Sequence, residues 1–224
     1  MQLELEHVWR TYEVGGESVV ALRDATLRID SGDMVAVVGP SGSGKSTFLQ
    51  LVGLLDTPSQ GSVRFDGREV GALDDAERTR MRLQMLGFVF QRFHLLNQLT
   101  ALENVALPME AAGAGPAARH ERAAELLNSM GLADRMTFRP AQLSGGQRQR
   151  VAMARALAND PPIILADEPT GELHSEDKAN VIRLLQALHR EGHTVVVVTH
   201  DPEVAQAAAR RIEIRDGWLK EVAA

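Results

Sequence analysis

Gly39-Pro-Ser-Gly-Ser-Gly-Lys45-Ser46 has the spacing G-x-x-x-x-G-K-[ST]. It follows an apolar run, Met34 to Val38, and precedes a helical pattern that begins near Lys45. The chemistry of such a loop is polyphosphate binding. Glycines let backbone N–H groups converge on phosphate oxygens with no Cβ in the way. The helix that follows points its positive end at the same anion. Lys45 is then placed to reach the β- and γ-phosphates, and the Ser46 hydroxyl to ligate Mg²⁺. Gly39, Ser41, Gly42, Ser43, Gly44, Lys45, Ser46 and Thr47 are the expected contacts.

Two carboxylates complete that chemistry. Ile163-Ile-Leu-Ala166 runs straight into Asp167-Glu168, so both acids fall at the carboxyl end of a buried strand, where ligands of open α/β sheets collect. Asp167 suits Mg²⁺, through water, and Glu168 suits polarising an attacking water, a role worth about 10²- to 10⁴-fold. His200 ends a third apolar run, Thr194 to Thr199, and from there would meet the γ-phosphate.

A second glycine-rich stretch, Gln142-Leu-Ser-Gly-Gly-Gln-Arg-Gln-Arg150, has no lysine between its glycines and helix. Ser144 reads as an N-cap, and Gly145 and Gly146 as exposed N–H groups at the start of a helix carrying Val151, Ala154 and Leu157. This is an anion site without a cation, and no core strand leads into it. Across a two-fold homodimer each such loop would cap the phosphate bound by the other subunit.

Positioning these groups requires a sheet buried on both faces. The continuous apolar runs Met34–Val38, Ile163–Ala166 and Thr194–Thr199 suit parallel strands covered by helices, and Gly87–Phe90 joins them. Leu3–Trp9 and Val20–Ile29 alternate, as half-buried strands do, and Ser62–Asp66 reads as a third. Asp216-Gly217 marks a hairpin near the C-terminus. A helix follows Ser175, with Val181, Leu184, Leu185 and Leu188 on one face and Gly192 as its stop. Pro116 to Met130 is another. From Arg92 to Leu157 the pattern is mainly helical, a lobe inserted into the sheet domain. The charged stretch Asp74 to Arg82 reads as a solvated helix face.

At 224 residues the chain suits a single α/β domain with a full core. A net charge of −6 argues against a nucleic-acid surface. There is no cysteine, which excludes disulfides and thiol chemistry. The N-terminus lacks a secretory apolar run, and no stretch approaches the roughly 18 apolar residues of a membrane span, so membrane work would go through a partner and not direct insertion.

Phosphate loop, Gln91, LSGGQ, Asp167-Glu168 and His200, in that order, resemble the nucleotide-binding subunit of an ABC transporter across nearly the whole chain. The resemblance implies an ABC-type P-loop α/β fold: a mainly parallel core sheet, an N-terminal antiparallel β subdomain, and a helical lobe. Residues 1–91 and 158–224 would form the core and 92–157 the lobe. It implies ATP and Mg²⁺ as ligands. Tyr12 resembles the aromatic that stacks on adenine. Gln91 resembles the glutamine that links Mg²⁺ and the nucleophile to the lobe. Ser144, Gly145, Gly146 and Gln147 resemble the signature facing the partner's ATP.

Flanking segments such as LGFVFQRFHLLNQLTALENVALPM resemble the branch that serves lipoprotein release and macrolide or toxin export. That implies ATP-driven closing and reopening of a homodimer on the cytoplasmic face of the inner membrane. The work would drive a permease docked near Arg92–Leu99, where Phe93 and Leu95 fit either a docking groove or a lobe core. A free subunit and a domain of a fusion both fit. A related reading is an ATPase that regulates a non-transporting permease controlling wall hydrolases. One departure stands out: the family's Gly-x-Leu-Asp is here Gly171-Glu-Leu-His174, which predicts weaker or pH-sensitive coupling between the two sites.

Overall fold

The computed structural model describes residues 1–222. Ten strands form two sheets. The first is antiparallel, in the order β2 (Glu17–Ile29), β1 (Leu3–Val14), β4 (Gln60–Phe65), β5 (Arg68–Glu69). The second runs β10 (Trp218–Val222), β9 (Arg210–Arg215), β3 (Met34–Val38), β8 (Thr194–Val198), β7 (Ile163–Asp167), β6 (Leu86–Phe90). Its four pairings from β9 to β6 are parallel, and only that of β10 with β9 is antiparallel.

The apolar runs are continuous because both faces of this sheet are covered. Met34, Ala36, Ile164, Ala166, Val195 and Val197 face one core. The residues between them, Val35, Val37, Ile163, Leu165, Val196 and Val198, face the other. The first core is filled by α3 (Ala101–Ala111), α4 (Pro116–Ser129), α5 (Gly145–Ala156) and α6 (Ser175–Arg190). The second holds the inner face of the antiparallel sheet and α1 (Lys45–Val52), whose Phe48 and Val52 are fully buried. The helices between Arg92 and Leu157 thus share one continuous core with the sheet.

Local signals set the helix ends. Thr100 with Glu103 and Ser144 with Gln147 form reciprocal capping boxes at α3 and α5. Asp74 with Glu77 does the same for α2 (Asp75–Met85), of which Met81 alone is buried. Asp201 caps α7 (Pro202–Gln206). The terminal hairpin turns through Asp216 and Gly217, both at positive φ, as its two-residue loop requires. The alternating strands extend further than their pattern. β1 continues past Trp9 because register shifts between Leu5 and Thr11 break the period of two while pairing with β2 persists to Val14.

Candidate active site

Register brings the expected residues to one edge. Val37 pairs with Val198, Val198 with Asp167, and Asp167 with Phe90. The strands are parallel, so the next residues in each chain segment, from Gly39, His200, Glu168 and Gln91, leave the sheet on the same side. They line a cleft of about 700 Å³ with Lys45, Ser46 and Asp167.

The loop after β3 leaves little freedom. A Cβ on Gly39 would overlap the Ile214 carbonyl oxygen, and one on Gly44 the Ala21 carbonyl oxygen. Gly44 also N-caps α1 at φ 112° and offers no side-chain cap. The first N–H groups of α1 therefore have neither helical nor side-chain acceptors. The Lys45 ammonium donates to the Gly39 and Pro40 carbonyls at 2.9 Å each, which holds it over the loop. Ser43 is the exception among the loop residues. It is buried, its hydroxyl has no hydrogen-bond partner, and its carbonyl accepts the Gly217 N–H.

Glu168 sits in the left-handed region at φ 45°, a strain of roughly 1–3 kcal/mol for a non-glycine residue. Neighbouring groups fix it. Its N–H donates to Val198 O at 2.8 Å. Its carboxylate accepts from the Thr199 hydroxyl and the His200 N–H, both at 3.2 Å. His200 Nδ1 lies 2.7 Å from the other oxygen. Burial pushes the Asp167 carboxyl above the usual carboxylate range, and Glu168 adds to that, while Lys45 and His94 act the other way. A cation in the cleft would relieve that burial cost. Ser46 and Asp167 offer hard oxygens, and no cluster of three metal-ligating side chains exists among the described residues. That donor set suits Mg²⁺ completed by phosphate and water, not an all-protein cage.

The other expected residues divide. Gln91 lines the cleft, and its amide packs against Gly171. Tyr12 is not part of the cleft lining. Its hydroxyl donates to Asp56 at 2.8 Å, and the Arg10 guanidinium covers its ring at 4.5 Å from the centroid. The Ser144–Gln147 turn also lies outside the cleft lining. Ser144 is the N-cap expected, but Gly146 is buried rather than exposed, with the Asp177 carboxylate against it.

Three positions escaped the sequence reading. Gln149 is fully buried on α5, and its amide donates to Pro169 O, next to Glu168. It stands three, four and seven residues before buried Ala152, Met153 and Ala156, so a polar residue at a core phase was the available signal. Asp201 accepts from Lys178 at 2.9 Å and from Thr170 at 3.4 Å. Its place before Pro202 marks a cap, but nothing in the sequence pairs it with Lys178.

The ABC transporter family model matches residues 22–171. The chain belongs to the ABC transporter family. ABC relatives include the macrolide export ATP-binding/permease protein MacB of Marinobacter nauticus, 52% identical over 98% of this chain and 34% of that protein. The protein of the same name from Bordetella avium is 52% identical over 97% of this chain and 33% of its own length. The chain spans about a third of the length of these relatives. The ATP-binding cassette MJ0796, solved as a dimer in a post-hydrolysis state with ADP and Pi, superimposes with a TM-score of 0.90 at 45% identity, covering 99% of both chains. A second dimeric structure of MJ0796, a bacterial ABC transporter cassette, gives 0.90 at 46%. The expected ABC-type fold, with its parallel core sheet, antiparallel β sheet and helices, is the fold observed.

Proposed function

We propose that the chain hydrolyses ATP between two copies of itself and uses the cycle to drive a membrane permease. The carrying observation is the convergence of Lys45, Ser46, Gln91, Asp167, Glu168 and His200 on one cleft whose lining includes none of Ser144–Gln147. A second subunit would supply that turn, which fits the dimeric state of MJ0796.

In this reading Lys45 and the loop N–H groups hold the β- and γ-phosphates. Ser46, Asp167 and Gln91 hold Mg²⁺, which neutralises phosphate charge when bound. Glu168 takes the proton of the attacking water. His200 orients that carboxylate through the 2.7 Å contact and reaches the γ-phosphate. Tyr12 receives the adenine on the ring face that Arg10 leaves uncovered. The capping turn, Ser144 to Gln147, closes on the partner's nucleotide. Residues 92–157 move as the lobe that carries it.

The permease reading draws on the relatives, which are named as ATP-binding/permease proteins for macrolide export. No helix among the described residues is long and apolar enough to cross a membrane, which fits peripheral attachment at the cytoplasmic face of the inner membrane. The docking place is an apolar groove of about 460 Å³ beside Arg92–Leu99. Within that segment His94 lines the groove, whereas Phe93 is buried under the Arg148 guanidinium and Leu95 packs on the lobe core. Export of macrolides or peptides and release of lipoproteins are the cargo classes this branch serves.

Glu168→Gln tests the catalytic assignment. Turnover should fall at least about 10²-fold, the lower bound for a positioned base, while ATP drives a stable dimer. Full hydrolysis by the variant would overturn the assignment.

A further inference from the structure

The groove assigned above to the permease is apolar, yet two guanidinium groups enter it without an acid. Leu55, Leu83, Phe88, Phe90 and Pro108 form its walls. Its charged or titratable lining residues are Arg82, Arg155 and His94, with no Asp or Glu, in a chain whose net charge is −6. Arg82 donates to the Leu54 carbonyl at 2.6 Å and to the Thr79 hydroxyl at 2.7 Å. Arg155 donates to the carbonyls of His94 at 2.5 Å and Phe93 at 2.8 Å. Neither forms an ion pair among the described residues.

Neutral oxygens satisfy N–H donors but do not offset charge, and a charge taken out of water is ordinarily paired. Burial draws both guanidinium groups below their usual pKa, with Arg78 adding to the effect on Arg82 and Asp75 opposing it. Arg155 also fixes a turn in which Phe93 and His94 both have positive φ. That role accounts for its hydrogen bonds, not for its uncompensated cation. Each arginine stands in the last turn of its helix, α2 or α5, where the helix dipole offsets only a fraction of the charge.

We propose that the groove takes an amphipathic, acidic segment of the permease, which lays apolar side chains on Leu83 and Phe88 and presents carboxylates to Arg82 and Arg155. This rests on the docking reading above and adds the chemistry of the partner. Charge complementarity selects that occupant: a purely apolar segment would bury both cations without an anion, and a basic one would add repulsion.

The test uses this chain in place of the ATP-binding third of the Marinobacter nauticus relative, purified in detergent with that protein's permease portion attached. Two series, Arg82→Lys, Gln and Glu, and Arg155→Lys, Gln and Glu, are compared for ATP hydrolysis in the fusion and in the free chain. Arg82 is the safer series, because Arg155 also supports the Phe93–His94 turn. Permease-dependent stimulation should be largely kept by Lys, fall about tenfold with Gln and vanish with Glu, while the free chain changes little. Equal effects of Gln and Glu, or no effect of either, would overturn the acidic partner. A Leu83→Cys crosslinking arm separates the two claims. Crosslinks to the permease with a flat charge series would sink this inference alone, and no crosslink to the permease would sink the docking reading beneath it.

Discussion

The Gln149 side-chain amide donates to the Pro169 carbonyl at 2.7 Å, so the helix that begins with the Ser144 cap is tied to the residue after Glu168 in the same subunit. The bond is fully buried, and Gln149 Oε1 has no partner. Movement of that helix on closing over a partner's nucleotide would reach Glu168 directly. Gln149→Leu should cost about 1–3 kcal/mol of unfolding free energy, because the Pro169 carbonyl is left unpaired. It should also lower kcat for ATP more than it raises KM. Urea unfolding together with steady-state kinetics checks both, and a change confined to stability would assign Gln149 to packing alone.

Glycines of the phosphate loop differ in what they tolerate. Gly42 has positive φ but open space around it, so Gly42→Ala should cost only the left-handed penalty, about 1–2 kcal/mol. Gly39→Ala would drive a Cβ into the Ile214 carbonyl as well. It should distort the loop and abolish binding of a fluorescent ATP analogue, whereas Gly42→Ala retains it. Equal affinities would refute the difference.

His174 N-caps α6 without a side-chain cap bond and is exposed. His174→Asp restores an acceptor to the first turn and should raise stability by about 0.5–2 kcal/mol. The same variant should steepen the ATP dependence of hydrolysis if position 174 couples the two sites. A Hill slope and rate unchanged by the substitution from about pH 6 to 8 would leave only the capping effect.

Lys178 and Asp201 give a pH-dependent prediction. Burial works against ionisation of Asp201, but Lys178, the Glu203 N–H and Thr170 outweigh it and hold the carboxyl below the usual range. A carboxyl depressed in the folded state stabilises above its unfolded pKa, and that contribution is lost as pH falls through the folded value. Lys178→Met should therefore lower the urea midpoint at pH 7, and the gap from the parent chain should close as pH drops below about 4. A gap that persists undiminished into that acid range would show that the pair does not act through charge.

Much of the site was legible because its chemistry is local. Gly39 to Ser46 must be contiguous to wrap a phosphate, and Asp167, Glu168 and His200 each follow an apolar run long enough to identify a buried strand. The core phase of Gln149 marked it as buried but did not name its partner, Pro169, and the charged face of α2 hid the inward turn of Arg82 onto Leu54. The segment Arg92–Leu99 fitted either a docking groove or a lobe core in the sequence, and its most buried side chain, Phe93, packs beneath Arg148.

Sequence alone determined which strands are buried on both faces, that Ser144 caps a helix, and which residue types stand at the spacing that suits phosphate chemistry. Those properties follow from periodicity and from neighbours within a few positions. Tertiary structure decided the rest: the parallel register that puts Gln91, Glu168 and His200 on one edge, the bond from Gln149 to Pro169, the pairing of Lys178 with Asp201, and an acid-free groove around Arg82 and Arg155. These contacts join positions 20 to more than 70 residues apart. Their partners are chosen by how the elements pack, and no local pattern in the chain encodes that choice.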